Sequence, residues 1–246
     1  MDLLTKIRFA CRYPKQFVRI LAGVLLRSEY KHMAVEDFLP LLPANPVIFE
    51  AGASRGMDTV KFARLWPQGQ IYAFEPEPAT FAELTRTTEA FANVQRFQLA
   101  LADQTGTASL HVSSRRDDPT ATDASSLLKP LDQAHELFNL NFSSQVIVQT
   151  ITLADFMREH AIEHIDLMWL DMQGMELNCL MASKEALGHV DRIYMEVCLH
   201  PLYEGAPLYP EVRDIMGSMG FDPVQEFLKP AQGDVLFERR SITVTR

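Results

Sequence analysis

The sequence predicts an α/β fold: a mostly parallel sheet with helices on both faces, closed by an antiparallel hairpin. Three observations carry that expectation. Val47–Ala51 is a short apolar run that enters a Gly-rich turn and then a helix. Strand-like and helix-like stretches alternate from there to about residue 220. Finally, Phe221–Leu228 and Asp234–Glu238 read as two strands joined by a short loop containing Pro230 and Gly233. A chain of 246 residues with 47% hydrophobic and 22% charged residues suits one large domain with an appendage.

Residues 1–44 form the appendage. Lys6, Arg8, Arg12, Lys15, Arg19, Arg27 and Lys31 outnumber Asp2 and Glu29, so this end is basic on a chain of net charge -9. Its longest apolar run, Ile20–Leu26, falls short of the ~20 residues of a membrane span, and no export signal follows it. The expectation is an N-terminal helical extension that packs on the domain or on a second subunit of a homodimer. A peripheral contact with a membrane surface, or a cap over substrate, is the sharper alternative. Pro40, Pro43 and Pro46 mark the boundary, and the main domain is expected over residues 45–246. The acidic balance and the absence of a Lys/Arg cluster in the body of the chain argue against nucleic acid as a partner. Cys11, Cys179 and Cys198 have no metal-type spacing and read as free thiols in a reducing, cytoplasmic setting.

The first strand and turn, through Glu50, Gly52, Ala53, Ser54 and Gly56, organise the rest. Two glycines let backbone approach a ligand, and the turn's N–H groups with the helix start attract an anion. Ile71–Glu75 is a second buried strand whose terminal acid lies 19 residues past Gly56, where a nucleotide ribose is held. The spacing is Glu-x-Gly-x-x-x-Gly rather than Gly-x-Gly-x-x-Gly. A carboxylate inside the turn would repel a pyrophosphate, so a nicotinamide dinucleotide is the weaker reading. S-adenosylmethionine suits it better, with its carboxylate for the loop amides, its ammonium for Glu50 and its ribose for Glu75.

Beyond the second strand, Pro76 and Pro78 start a helix through Leu84. Asn93–Ala102 is read as a third strand and Thr107–Ser113 as a half-buried one, with a turn at Asp103–Gly106 between them. Residues 114–144 are irregular apart from a short helix near Leu131–Leu140, and are expected to be an insertion or lid. A strand at Gln145–Ile151 leads to a helix capped by Thr152. Ile165–Asp171 is a central strand followed by a helix opening near Gly174; Val190–Val197 is the next strand, and Tyr209–Met219 the last helix.

Asp171-Met172-Gln173-Gly174-Met175-Glu176 gives the pattern Asp-x-x-Gly-x-Glu after the central strand. With Phe74-Glu75-Pro76, Ala100–Asp103, Ser125-Ser126-Leu127, Thr152-Leu153-x-Asp155 and Met195-Glu196-Val197, the chain resembles the FkbM family of methyltransferases from about Val47 to about Phe237. The resemblance implies a Rossmann-like class I methyltransferase fold with a seven-stranded sheet, S-adenosylmethionine as cofactor, and O-methylation of a small molecule, sugar or lipid-linked glycan. Two positions depart from the family pattern: Trp169 stands where many members have Lys, and Gln173 where the motif often has Glu.

Glu50, Gly52, Ala53, Ser54, Gly56, Glu75, Pro76, Ala102, Asp103 and Asp171 are thus the expected cofactor contacts. Asp171, Glu176 and His200 are the catalytic candidates: Asp171 as base or orienting group at the methyl junction, His200 as an alternative base. Asp171 is equally suited to capping the next helix. Asp171, Glu196 and His200 would permit a divalent metal, but no spacing demands one, and none is expected.

Overall fold

The computed structural model describes residues 32–115 and 124–240. The basic extension to residue 31, with its expected helices and contacts, lies outside the described residues, as do residues 116–123 of the insertion.

A seven-stranded sheet forms the centre, in the order β3-β2-β1-β7-β8-β10-β9. Its parallel part comprises β1 (Val47–Ala51), β2 (Gln70–Phe74), β3 (Val94–Phe97), β7 (Ile165–Leu170) and β8 (Val190–Cys198). The strands β9 (Phe221–Leu228) and β10 (Gln232–Arg239) are the expected terminal hairpin, and β10 runs antiparallel to β8. Side chains alternate across the sheet because strand period is two. In β1, Phe49 and Ala51 face one core and Ile48 faces the other; in β7, Met168 and Leu170 oppose Leu167 and Trp169.

Helices cover both faces: α1 (Met57–Leu65), α2 (Pro78–Thr88), α3 (Asp132–Phe138), α4 (Leu153–Glu159), α5 (Glu176–Ala182) and α6 (Tyr209–Ser218). Local chemistry sets several starts. Pro78 opens α2 behind Glu77, whose carboxylate accepts the Thr80 N–H at 2.6 Å. Thr152 caps α4 by accepting the Asp155 N–H at 3.1 Å. Phe156 of α4 is fully buried, with its ring 4.7 Å from Phe74 and 4.8 Å from Phe97, and it pins this helix beneath β2 and β3. On the opposite face, Met33, Val35 and Phe38 are buried with Phe62 and Tyr194, and the Met33 N–H donates to Tyr194 Oη at 3.0 Å. The segment just before the expected boundary therefore packs into the domain core. Trp169 belongs to the same cluster, 5.4 Å from Phe62 and 4.5 Å from Tyr194.

Two expectations along the chain are corrected. The stretch expected as one third strand divides: Val94–Phe97 stays in the main sheet, where Phe97 O accepts the Glu75 N–H at 3.1 Å, while β4 (Ala100–Leu101) joins a second sheet. That sheet has the order β4-β6-β5, with β5 (Gly106–Arg115) antiparallel to β6 (Leu140–Ile151). The strand expected from Gln145 thus begins at Leu140, because its pairing with β5 runs out to the end of the insertion. Cys179 and Cys198 are buried and free, and burial pushes the Cys179 thiol up to about 12. Among the described residues, no helix is long and apolar enough to cross a membrane.

Candidate active site

β1 is flanked by β2 on one side and β7 on the other, so the strand order reverses there. Ligands of open α/β sheets bind outside the carboxyl ends at such a switch point. A cleft opens at these ends. β1 contributes Ala51 and Gly52, β2 contributes Glu75 and Pro76, and β7 contributes Asp171. The second sheet and the insertion add Leu101, Leu110, Ser125 and Leu127, and the loop after β7 adds Met172, Gln173 and Met175.

The floor is a backbone contact. The Asp171 N–H donates to Ala51 O at 2.9 Å, and Gly52 follows with φ +83°. A Cβ on Gly52 would lie 1.9 Å from Asp171 O, so the two strand ends are as close as glycine allows. Both oxygens of Glu75 are held: Oε2 accepts the Ser54 N–H at 3.0 Å and Oε1 the Glu77 N–H at 2.9 Å. Burial raises its carboxyl to about 7, with the two amides pulling the other way. A carboxylate has lone pairs beyond these two, which suits vicinal ribose hydroxyls as donors. The turn itself departs from expectation. Its N–H groups do not await an anion: Gly52 and Ala53 donate to Phe74 O, Ser54 to Glu75 and Gly56 to Ala53 O.

At the β7 end, the loop Asp171–Met175 is stapled from beneath. Glu176 Oε1 accepts the Met172 N–H at 2.6 Å and Oε2 the Gly174 N–H at 2.9 Å. Burial, then the charge of Asp171, raises this carboxyl to about 8 against those amide bonds. Above the staple, Gln173 takes a left-handed conformation with φ +54°. Its Nε2 donates to Asp171 Oδ1 at 2.6 Å and to Glu196 Oε2 at 3.1 Å, and its Oε1 accepts Tyr203 Oη at 2.9 Å. Ser126 Oγ donates to Gln173 O at 2.8 Å, which ties the insertion to the loop. Gln232 Nε2 also donates to Glu196.

The sequence model described as the methyltransferase FkbM domain matches residues 50–223, from the end of β1 to β9. The chain belongs to the FkbM methyltransferase family. Among its relatives, the 2-O-methyltransferase NoeI of Sinorhizobium fredii is 31% identical over 199 residues, covering 80% of this chain and 81% of that protein. Methyltransferase sdnD of Sordaria araneosa is 27% identical, covering 81% of this chain and 83% of its own. Of solved structures, the fibrillarin pre-rRNA processing protein of Methanococcus jannaschii superposes with a TM-score of 0.49 at 14% identity, over 90% of this chain and 74% of that one.

Within this FkbM domain, Gly52, Ser54, Glu75, Pro76 and Asp171 line the cleft. The other sequence-derived candidates sit off its wall. Glu50 points under the turn toward α1, buried beside Thr59; burial raises it to about 8, with Thr59 pulling the other way. Gly56, at the start of α1, meets α2: a Cβ there would lie 2.8 Å from Leu84 Cδ1. Ala53 lies behind the turn, Ala102 extends the second sheet by donating to Ile151 O at 3.0 Å, and Asp103 is exposed. Glu176 serves the loop as a staple rather than facing the cleft. His200 N–H donates to Ala231 O at 3.2 Å beyond the end of β8. Asp171 does not cap α5; Met175 occupies that position, because the loop continues to Glu176. Gln173, Tyr203 and Gln232 escaped the sequence reading. The Gln at a position often Glu in the family was the only available signal. Among the described residues, the group whose ligand atoms converge like a metal site, His164, Asp166 and Asp191, lies at the opposite strand ends, where Arg239 pairs with Asp191 at 2.7 Å.

Proposed function

We propose that this chain is an S-adenosylmethionine-dependent O-methyltransferase acting on a hydroxyl of a small molecule, sugar or lipid-linked glycan. The observation that carries the reading is Glu75, a buried carboxylate on the cleft wall whose two oxygens are aimed by the Ser54 and Glu77 amides. The residues present fit the cofactor. Glu75 suits the ribose hydroxyls, and Phe74, Leu99 and Leu101 offer an apolar slot for a base. Both charged side chains on the wall, Glu75 and Asp171, are acidic, which favours a cationic ligand over a pyrophosphate. The turn amides, committed to protein oxygens, serve neither a pyrophosphate nor the carboxylate of the cofactor. The name of the Sinorhizobium fredii relative, a 2-O-methyltransferase, supports a hydroxyl acceptor.

The cofactor supplies a methyl group on a sulfonium, so its transfer to a hydroxyl breaks one S–C and one O–H bond and forms one C–O bond. The chain's part is to align the acceptor and take its proton. Asp171 is exposed on the cleft wall at the β7 end, and its carboxylate is the group that receives this proton. Leu110 and Leu127 of the second sheet and insertion give the cleft an apolar wall.

The test uses methyl-tritiated S-adenosylmethionine with a panel of methyl glycosides bearing a free 2-hydroxyl. Label should move to a glycoside, and Asp171→Asn should slow transfer about 100-fold or more while keeping S-adenosylhomocysteine affinity. Asp171→Asn transfer within threefold of wild type would remove Asp171 from the reaction.

A further inference from the structure

Gln173 has no role in the proposed reaction as stated, yet the site is built around it. Its left-handed backbone is uncommon for a residue with a side chain, and the surroundings hold it there through four hydrogen bonds. Both side-chain N–H bonds go to carboxylates and the side-chain oxygen accepts a phenol. Four separate parts of the chain converge on it: Asp171 at the end of β7, Glu196 near the end of β8, Tyr203 after β8, and Ser126 from the insertion.

Two carboxylates that share one amide nitrogen as donor repel each other when both are charged. Glu196 faces Asp171, Glu176 and Asp234 as acidic neighbours and Lys229 as the cationic one, in addition to its two amide donors Gln173 and Gln232. Burial first, then Asp171, holds the Glu196 carboxyl well above the usual range. A glutamate at 173 would set a third acid between them; the amide instead offers each carboxylate one donor.

We propose that Gln173 is a positioning residue for methyl transfer, bridging Asp171 and Glu196 so that the Asp171 carboxylate is held in place at the cleft. The role in transfer rests on the proposed function, whereas the bridge stands independently of any ligand. Because N–H donors favour the charged form of an acid, losing them raises the pH at which the pair titrates, and an added carboxylate raises it further.

The experiment follows the side-chain carboxyl carbons of Asp171 and Glu196 by 13C NMR over pH, in the full chain without ligand. Asp171→Asn and Glu196→Gln assign the signals. Gln173→Leu should move the titration of the pair up by about 1 unit, and Gln173→Glu, which keeps the shape of the side chain, by more. Midpoints unchanged in a folded Gln173→Glu protein would overturn the bridge. With methyl-tritiated S-adenosylmethionine and any methyl glycoside the wild type accepts, Gln173→Leu should lower kcat at least tenfold. It should also shift the pH–rate profile in the same direction, with KM for the cofactor within threefold. Unaltered kcat with shifted titration would confine Gln173 to structure and overturn its positioning role. Failure of wild type to bind S-adenosylhomocysteine would instead strike the proposed function and leave the titration result intact.

Discussion

Gly52 and Asp171 meet backbone to backbone at the switch point of the sheet. A side-chain carbon on Gly52 would fall 1.9 Å from the Asp171 carbonyl oxygen, and the position also requires φ +83°. Gly52→Ala should therefore lower stability by about 2 kcal/mol or more, since left-handed strain alone costs about 1–2 kcal/mol and the clash adds to it. Gly205, at φ +79° with nothing near its missing Cβ, is the control. Denaturant unfolding should show Gly205→Ala losing only the strain part. Equal losses would mean that the strand ends are not in contact.

Phe156 joins α4 to the aromatic cluster of Phe49, Phe74 and Phe97. Being fully buried, its replacement by Ala should cost about 3–5 kcal/mol in denaturant unfolding. A loss below about 1 kcal/mol would show that the cluster collapses around the gap.

Three buried acids give the stability a definite pH sign. Burial raises Glu50 and Glu176 to about 8 and Glu75 to about 7. Unfolded glutamates titrate near about 4.3, so between that value and 7–8 the folded chain binds protons that the unfolded chain has released. Their contribution is complete below the unfolded value and is lost as pH rises through the folded ones. Melting temperature should accordingly fall from about pH 5 to about pH 8, and Glu50→Gln should flatten the slope. A melting temperature that rises over this interval would contradict the burial of these groups.

Much of this was legible in the sequence because period and punctuation are local. Val47–Ala51, Ile165–Leu170 and the terminal hairpin are apolar runs bounded by turn residues, and Thr152 and Pro78 announce their helices. β6 starts before its apolar pattern announces it because four of the six residues in its first half are exposed. The split of the third strand was hidden because Val94–Leu101 is apolar enough throughout to read as one element, while the partners that divide it lie about fifty residues on, in β6. In the site, Glu75 could be found from its spacing past Gly56, and Asp171 from its place at a strand end and from the motif that carries the family resemblance. The direction of Glu50 could not, since one position along a strand reverses the face, and neither could the bridge of Gln173, whose partners Tyr203 and Ser126 are set by folding alone.

Glu75 also makes cofactor affinity depend on pH. Ribose hydroxyls donate to the ionised carboxylate, and the group titrates near about 7 in the free chain. S-adenosylhomocysteine should bind more tightly at about pH 8 than at about pH 6, and Glu75→Gln should abolish that dependence; calorimetry at the two pH values decides it. Affinity that weakens toward high pH would mean that Glu75 is not the ribose partner.

The central claim is that the cleft at the ends of β1, β2 and β7 holds a methyl-donor nucleoside through Glu75. Calorimetric titration of the full chain with S-adenosylhomocysteine, beside NAD and a Glu75→Ala variant, tests it most directly. The account predicts binding by wild type, at least tenfold weaker in the variant, and no response to NAD. A folded wild-type protein that fails to bind S-adenosylhomocysteine, or a variant that binds it as well, would contradict it.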